Sequence, residues 1–347
     1  MPDLATYTTL RLGGSARRLV VAAGTGQAVG AVRAAAGERL LILAGGSNVV
    51  VSDSGFDGTV VLLRTTGITI TPDGPDEALV TVAAGHEWDD VVVRCLAEGL
   101  CGIEFLSGIP GSAGGTPIQN VGAYGCEIAE FLESVEVYDR ATDRRMVIKA
   151  AECGLTFRSS VFKRNDRFVV LGVRLRLRRS ELSGPVRYAE LARTLDIEPG
   201  DRVPLQRVRD AVLALRAGKG MVLDDADPDT WSVGSFFENP IVDQGLHEVV
   251  RTRAFAEVGA HPPAWPYGAD RVKLSAAWLI ERAGFVKGYT GGRSGVGIST
   301  KHSLALTNRG GGTTAGLLDL AREIRDGVHK VFEVDLSPEA VLVDCAI

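Results

Sequence analysis

The segment Gly108-Ile-Pro-Gly-Ser-Ala-Gly-Gly-Thr-Pro-Ile-Gln-Asn-Val-Gly-Ala-Tyr-Gly125 holds six glycines and two prolines in 18 residues, with small hydroxyls and the amides of Gln119 and Asn120. Such a stretch is costly to order, so it predicts a ligand that fills it, and a long planar cofactor with a pyrophosphate has the matching shape. A second segment, Gly45-Gly-Ser-Asn48, follows an apolar run. Consecutive glycines let backbone N–H groups converge on an anion, and Ser47 and Asn48 add side-chain hydrogen bonds. A tight turn explains the tetrapeptide equally well. A third, around Gly24-Thr-Gly26 and Gly30, has the spacing G-x-G-x-x-x-G and lacks a clear acidic residue about 20 positions on, which reads as a helix-entry loop rather than a dinucleotide fingerprint.

Three other places carry reactive side chains. Phe157-Arg-Ser-Ser-Val-Phe-Lys163 sets Arg158 among apolar residues, equally readable as a surface arginine beside a strand. Ser235 stands in Gly234-Ser-Phe-Phe-Glu-Asn-Pro240, an aromatic setting unexpected in a solvated loop, and no G-x-S-x-G elbow surrounds it to suggest a hydrolase nucleophile. Glu339 precedes an apolar run and reads by default as a solvated strand-edge carboxylate.

The elements that must position these residues show in the hydrophobic pattern. Strands are expected at Arg18–Ala22, Leu40–Leu43 and Val49–Val51, with a helix over Gln27–Ala36, an alternating α/β unit. Strand Ala78–Ala83 leads into a helix opened by Glu87, Asp89 and Asp90 and stopped at Gly99. Strands then dominate at Val135–Tyr138, Met146–Ile148 and Phe168–Leu177, the last alternating Val173, Leu175 and Leu177 with Arg174, Arg176 and Arg178. Helices are expected over Leu205–Arg216, after Ser275, and after Thr313 or Thr314 with Leu317, Ala321, Ile324 and Val328 on one stripe. Ala340–Val343 reads as a strand returning to the first domain.

With 347 residues, 45% apolar and 23% charged, the chain is globular and long enough for two or three domains. Glycine is in excess, 42 residues or about 12% against a usual share of about 7%. A net charge of −5 argues against a duplex nucleic-acid binder. Neither a spanning apolar run nor a signal peptide is evident, and five scattered cysteines suit reduced thiols, so a cytoplasmic protein is expected. The histidines and cysteines lack metal-ligand spacing, and no metal site is expected.

Together the ordered motifs resemble the UDP-N-acetylenolpyruvoylglucosamine reductase family over nearly the whole chain. They run from Thr8-Thr-Leu-Arg-Leu-Gly-Gly14 through Gly45–Asn48, Gly108–Gly125, Phe157–Lys163, Gly234–Pro240 and Lys301-His-Ser-Leu-Ala-Leu-Thr-Asn308 to Leu336-Ser-Pro-Glu339. The resemblance implies an α/β and α+β chain: a two-subdomain FAD-binding fold of the vanillyl-alcohol-oxidase type plus a C-terminal α+β substrate domain. The expected division is 1–66 with 337–347, then 67–213, then 214–336. It implies non-covalent FAD, NADPH as hydride donor, and reduction of the enolpyruvyl double bond of a UDP-sugar to give UDP-N-acetylmuramate for peptidoglycan.

The catalytic residues it implies are Arg158, Ser235 as proton donor, and Glu339, which could hydrogen-bond a substrate carboxylate only when protonated. Cofactor contacts are expected from Gly45, Gly46, Ser47, Asn48, Gly108, Ile109, Gly111, Ser112, Gly115, Asn120, Gly122, Tyr124 and Gly125, and substrate contacts from Tyr188, Arg216, Lys219 and Asn239. Two departures stand out: Phe157 where the family usually has Tyr, and Glu238 where many members have Lys. A UDP-sugar is the expected partner, with no nucleic acid, no membrane insertion and a monomeric chain. An FAD-linked oxidase of the same flavin fold, or a paralogue acting on a related UDP-sugar or without turnover, is the competing reading.

Overall fold

The computed structural model describes residues 1–347. They form two compact units, and the borders fall differently from the expected three-part division. The first unit holds residues 1–2, 16–46 and 57–222; the second holds 3–15, 47–56 and 223–347.

The first unit contains two sheets. A small one orders Ala16–Ala22, Phe56–Leu63 and Leu40–Leu43, the last two parallel, with helix α1 (Thr25–Ala34) crossing between. The larger is antiparallel and runs Arg144–Lys149, Leu132–Asp139, Phe168–Arg179, Glu77–Ala83, Ile68–Pro72. Its 12-residue central strand turns Val173, Leu175 and Leu177 inward and leaves Arg174 and Arg178 exposed, as the alternation predicts. Helix α2 (Trp88–Ala97) buries Trp88, Val91, Val92 and Cys95, and it ends at Gly99, which takes a φ of +69°. The charged stretch after Arg187 conceals a short helix, α3 (Ala189–Leu195), which leads on to α4 (Leu205–Gly218). Leu191, Ala192, Val208 and Val212 join one continuous core with the sheet residues.

The second unit has its own core. Helix α5 (Gln244–Val258) and the sheet Ile241–Asp243, Arg271–Leu274, Ala264–Tyr267 were not foreseen from the sequence. Helix α6 (Ala276–Arg282) starts where Ser275 accepts from the Trp278 N–H at 3.3 Å. Helix α7 (Thr314–Phe332) fully buries Leu317, Ala321, Ile324 and Val328, each large aliphatic side chain contributing roughly 2 kcal/mol of transfer free energy. The C-terminal strand Val341–Val343 pairs in parallel with Val49–Val51.

Candidate active site

The glycine-rich segments at 45 and 108–125 meet. A Cβ on Gly45 would lie 2.5 Å from Gly111 Cα and 3.2 Å from Ser112 N, so only glycine lets the two backbones pass this closely. The longer loop is fastened to the connector between the Glu77–Ala83 strand and α2. Gly114 N–H donates to Ala84 O at 2.9 Å, Ala113 N–H to His86 O at 2.8 Å, and Trp88 N–H to Gly111 O at 3.0 Å. The Trp88 indole N–H reaches Leu106 O at 3.0 Å, and Asp89 Oδ1 accepts the Gly108 N–H at 2.6 Å. The chain's own hydrogen bonds thus supply part of the ordering that the loop's composition makes costly.

Local strain concentrates here. Asn120, Tyr124 and Arg158 are non-glycine residues with φ of +45°, +52° and +50°. Such conformations cost of order 1 kcal/mol or more each and persist where surrounding contacts over-determine them. Asn120 shows how: its Nδ2 donates to Glu127 Oε2 at 2.7 Å and Thr156 O at 3.1 Å, while its Oδ1 accepts from Ala129 N–H at 3.1 Å. Both amide donors are thus spent inside the chain, and a cofactor contact from Asn120 would come from its main chain. The Arg158 guanidinium donates to Asn120 O at 3.3 Å and Gly122 O at 2.9 Å, with its Cζ 5.4 Å from the Phe157 ring centroid. It is half-buried, not a freely solvated surface arginine.

Tyr124 meets Tyr188 edge-on at 5.5 Å, and burial raises the Tyr124 phenol to about 12. Tyr124 and Gly125 also line a cleft of about 670 Å³ together with Phe131, Arg176 and Arg187. Lys219 is paired with Glu190 at 2.6 Å, so an anionic substrate reaching that ammonium would displace a carboxylate. Arg216 donates to Met221 O at 2.6 Å, but its buried Nε has no partner, and burial lowers the guanidinium to about 10.

Ser235 and Glu339 belong to the second unit, where two segments run antiparallel. Glu339 N–H donates to Phe236 O at 2.8 Å, Glu238 N–H to Ser337 O at 3.0 Å, and Phe237 bridges to Pro338. Phe236 and Phe237 are buried beneath, their rings 5.0 Å apart. That pairing places Ser235 and Glu339 on neighbouring segments, and the half-buried Ser235 hydroxyl has no hydrogen-bond partner in the chain. Asn239 Oδ1 accepts the Ala276 N–H at 2.9 Å, which fastens it to the start of α6 and leaves its NH2 group unspent.

A family model described as an FAD binding domain matches residues 16–146, and one described as the UDP-N-acetylenolpyruvoylglucosamine reductase C-terminal domain matches residues 227–343. The curated UDP-N-acetylenolpyruvoylglucosamine reductase of Salinispora arenicola is 58% identical over 99% of this chain and 95% of its own length. The chain belongs to the UDP-N-acetylenolpyruvoylglucosamine reductase family. The protein of that name from Thermobifida fusca is 56% identical over 98% of this chain and 96% of its own. A crystal structure of the Thermus caldophilus reductase superposes with a TM-score of 0.67, at 24% identity, over 98% of this chain and 97% of that one, which establishes the shared fold. Family membership makes the chain an oxidoreductase.

The residues present suit an FAD. The Ala113, Gly114 and Gly115 N–H groups are spent within the chain, while those of Gly111 and Ser112, packed against Gly45, donate to nothing in it and remain as a cradle of main-chain donors of the kind that hold a pyrophosphate. Sequence reasoning missed Asp89 and the 84–88 connector as supports of this cradle. Asp89 reads locally as a helix-opening acid, and nothing in its neighbours signals a partner 19 residues on.

Proposed function

We propose that the protein reduces the enolpyruvyl double bond of UDP-N-acetylglucosamine enolpyruvate to the lactyl ether of UDP-N-acetylmuramate, a peptidoglycan precursor, with NADPH as electron donor. FAD, held by the Gly45–Asn48 and Gly108–Gly125 segments, supplies the hydride-relay chemistry when bound. The chain's own residues polarise and protonate. The alkene is conjugated to a carboxylate, so hydride delivery to the terminal carbon throws negative charge onto that carboxylate. Arg158 supplies a guanidinium to receive the charge, and Glu339 can add a hydrogen bond to the carboxylate only in its protonated form. Ser235 gives its hydroxyl proton to the other alkene carbon. A serine is a weak acid, but the carbon it meets is strongly basic, so its position matters more than its acidity. Tyr188, Arg216, Lys219 and Asn239 are assigned to the UDP-sugar.

The observation that carries this reading is the attachment of Arg158 to the glycine-rich loop itself, through Asn120 O and Gly122 O. A charge-stabilising group built into the cofactor loop suits a reaction in which charge develops beside the cofactor. Anaerobic mixing tests it. NADPH should bleach the flavin, and the UDP-enolpyruvyl sugar should then restore its absorbance. Reoxidation by oxygen alone, with an alcohol as electron source, would instead support a flavin-linked oxidase.

A further inference from the structure

We propose that Asp89 and Arg209 form a positioning pair for the cofactor loop, fixing its entry at Gly108; the proposal rests on the flavin reading above. Asp89 Oδ1 accepts the Gly108 N–H at 2.6 Å and Arg209 Nη1 at 2.8 Å, while Oδ2 accepts Arg209 Nη2 at 2.6 Å. The pair is two-pronged, with the Arg209 side chain 11% and the Asp89 side chain 37% exposed. Burial pushes the Asp89 carboxyl up, but the hydrogen bonds from Arg209 and Gly108 outweigh it and hold the group below its ordinary value, hence ionised.

Gly108 is gripped from its other side as well. It takes a φ of +68°, and a Cβ there would lie 2.7 Å from Leu213 Cδ2 and 3.6 Å from Arg216 Nε. Arg209, Leu213 and Arg216 follow one another at i, i+4 and i+7 on α4, so a single helical face meets the loop's first residue. A charged acceptor on α2 and an apolar edge on α4 thereby set the direction in which the loop leaves Gly108. The Gly111 and Ser112 N–H groups, which follow within four residues and donate to nothing in the chain, inherit that direction. A pair that only tied α2 to α4 would not need an acceptor for a loop N–H.

The test separates the two roles. In the full chain, FAD is removed, its rebinding is titrated by flavin fluorescence, and the melting temperature of the apoprotein is recorded in parallel. Asp89→Ala should weaken FAD binding about tenfold or more, the usual consequence of losing a charge-assisted hydrogen bond. Asp89→Asn keeps an oxygen for the Gly108 N–H and should fall between Asp89→Ala and the unaltered protein. The exchange Asp89→Arg with Arg209→Asp restores an ion pair but offers Gly108 no acceptor, so it should recover melting temperature without recovering FAD affinity.

Dissociation constants within about twofold of the unaltered protein in all three variants, or an exchange that recovers affinity together with melting, would overturn the proposal. Should Asp89→Ala fail to fold, Arg209→Lys provides the milder variant: affinity should fall measurably, and an unchanged affinity counts against the pair. An unaltered chain that takes up no FAD would overturn the flavin reading itself.

Discussion

Ser235 and Arg158 illustrate two ways in which a side chain can be made ready. The Ser235 hydroxyl has no partner within the chain, so its proton is not committed elsewhere. In Ser235→Ala, NADPH should bleach the flavin at the unaltered rate, while product formation slows by about 10²–10⁴-fold, the usual range for losing a positioned proton donor. Normal turnover would remove Ser235 from the mechanism. Arg158 is committed twice, to Asn120 O and Gly122 O, from a backbone with a φ of +50°. Lysine carries one ammonium on a flexible stem and cannot reproduce that planar fork. Arg158→Lys should therefore lower turnover by about 10²–10³-fold, the scale of a lost charge-stabilising donor. Near-normal turnover would free Arg158 from the charge-stabilising role. Phe157 keeps the aromatic face against this guanidinium but lacks a hydroxyl, and Phe157→Tyr should lower the Michaelis constant for the UDP-sugar if that hydroxyl matters. An unchanged constant would make the departure neutral.

Helix ends show which elements were legible in the sequence and why. Ser275 and Thr313 were recognisable as caps because an N-cap acts on N–H groups two or three residues away, and both do: Thr313 accepts the Gly316 N–H at 3.0 Å. The central strand Phe168–Arg179 showed itself through strict alternation. The sheet around Ala264–Tyr267 did not, since an edge strand containing Pro266 reads locally as a turn. Helix α5 buries only Val250 and Ala254 over 15 residues, too thin a stripe to announce itself. Contacts distant in sequence were not readable at all. Asp53 receives the Thr314 and Ala315 N–H groups at 2.7 and 2.8 Å, placing a carboxylate at the start of the 19-residue α7 from 261 positions upstream. Two N–H donors and the helix dipole act on one charge, so Asp53→Ala should cost about 1–2 kcal/mol in urea unfolding, and Asp53→Asn less. A midpoint unchanged by Asp53→Ala would show that Thr313 alone suffices to cap the helix.

Each unit has its own core, and the cysteines divide unevenly between them. Cys95, Cys101, Cys126 and Cys153 are buried in the first unit, while Cys345, in the second, is only partly buried. Burial raises the Cys95 thiol to about 12 and the Cys153 thiol to about 11, so little thiolate exists near neutrality. Burial raises the Cys345 thiol as well, so access decides: a disulfide reagent at pH 8 should modify the partly exposed Cys345 first, and the other four only when the first unit opens. The matched FAD-binding segment, residues 16–146, contains three of those four thiols, Cys95, Cys101 and Cys126. A ligand that binds only the closed form lowers the open population by a factor of 1 + [L]/Kd. Saturating FAD should thus slow labelling of the four buried thiols by that factor and leave Cys345 unaffected. Equal protection of all five would mean that the two units open as one. No protection of the four would mean that FAD does not depend on the first unit being closed, and the cradle at Gly45 and Gly111 would lose its assigned role.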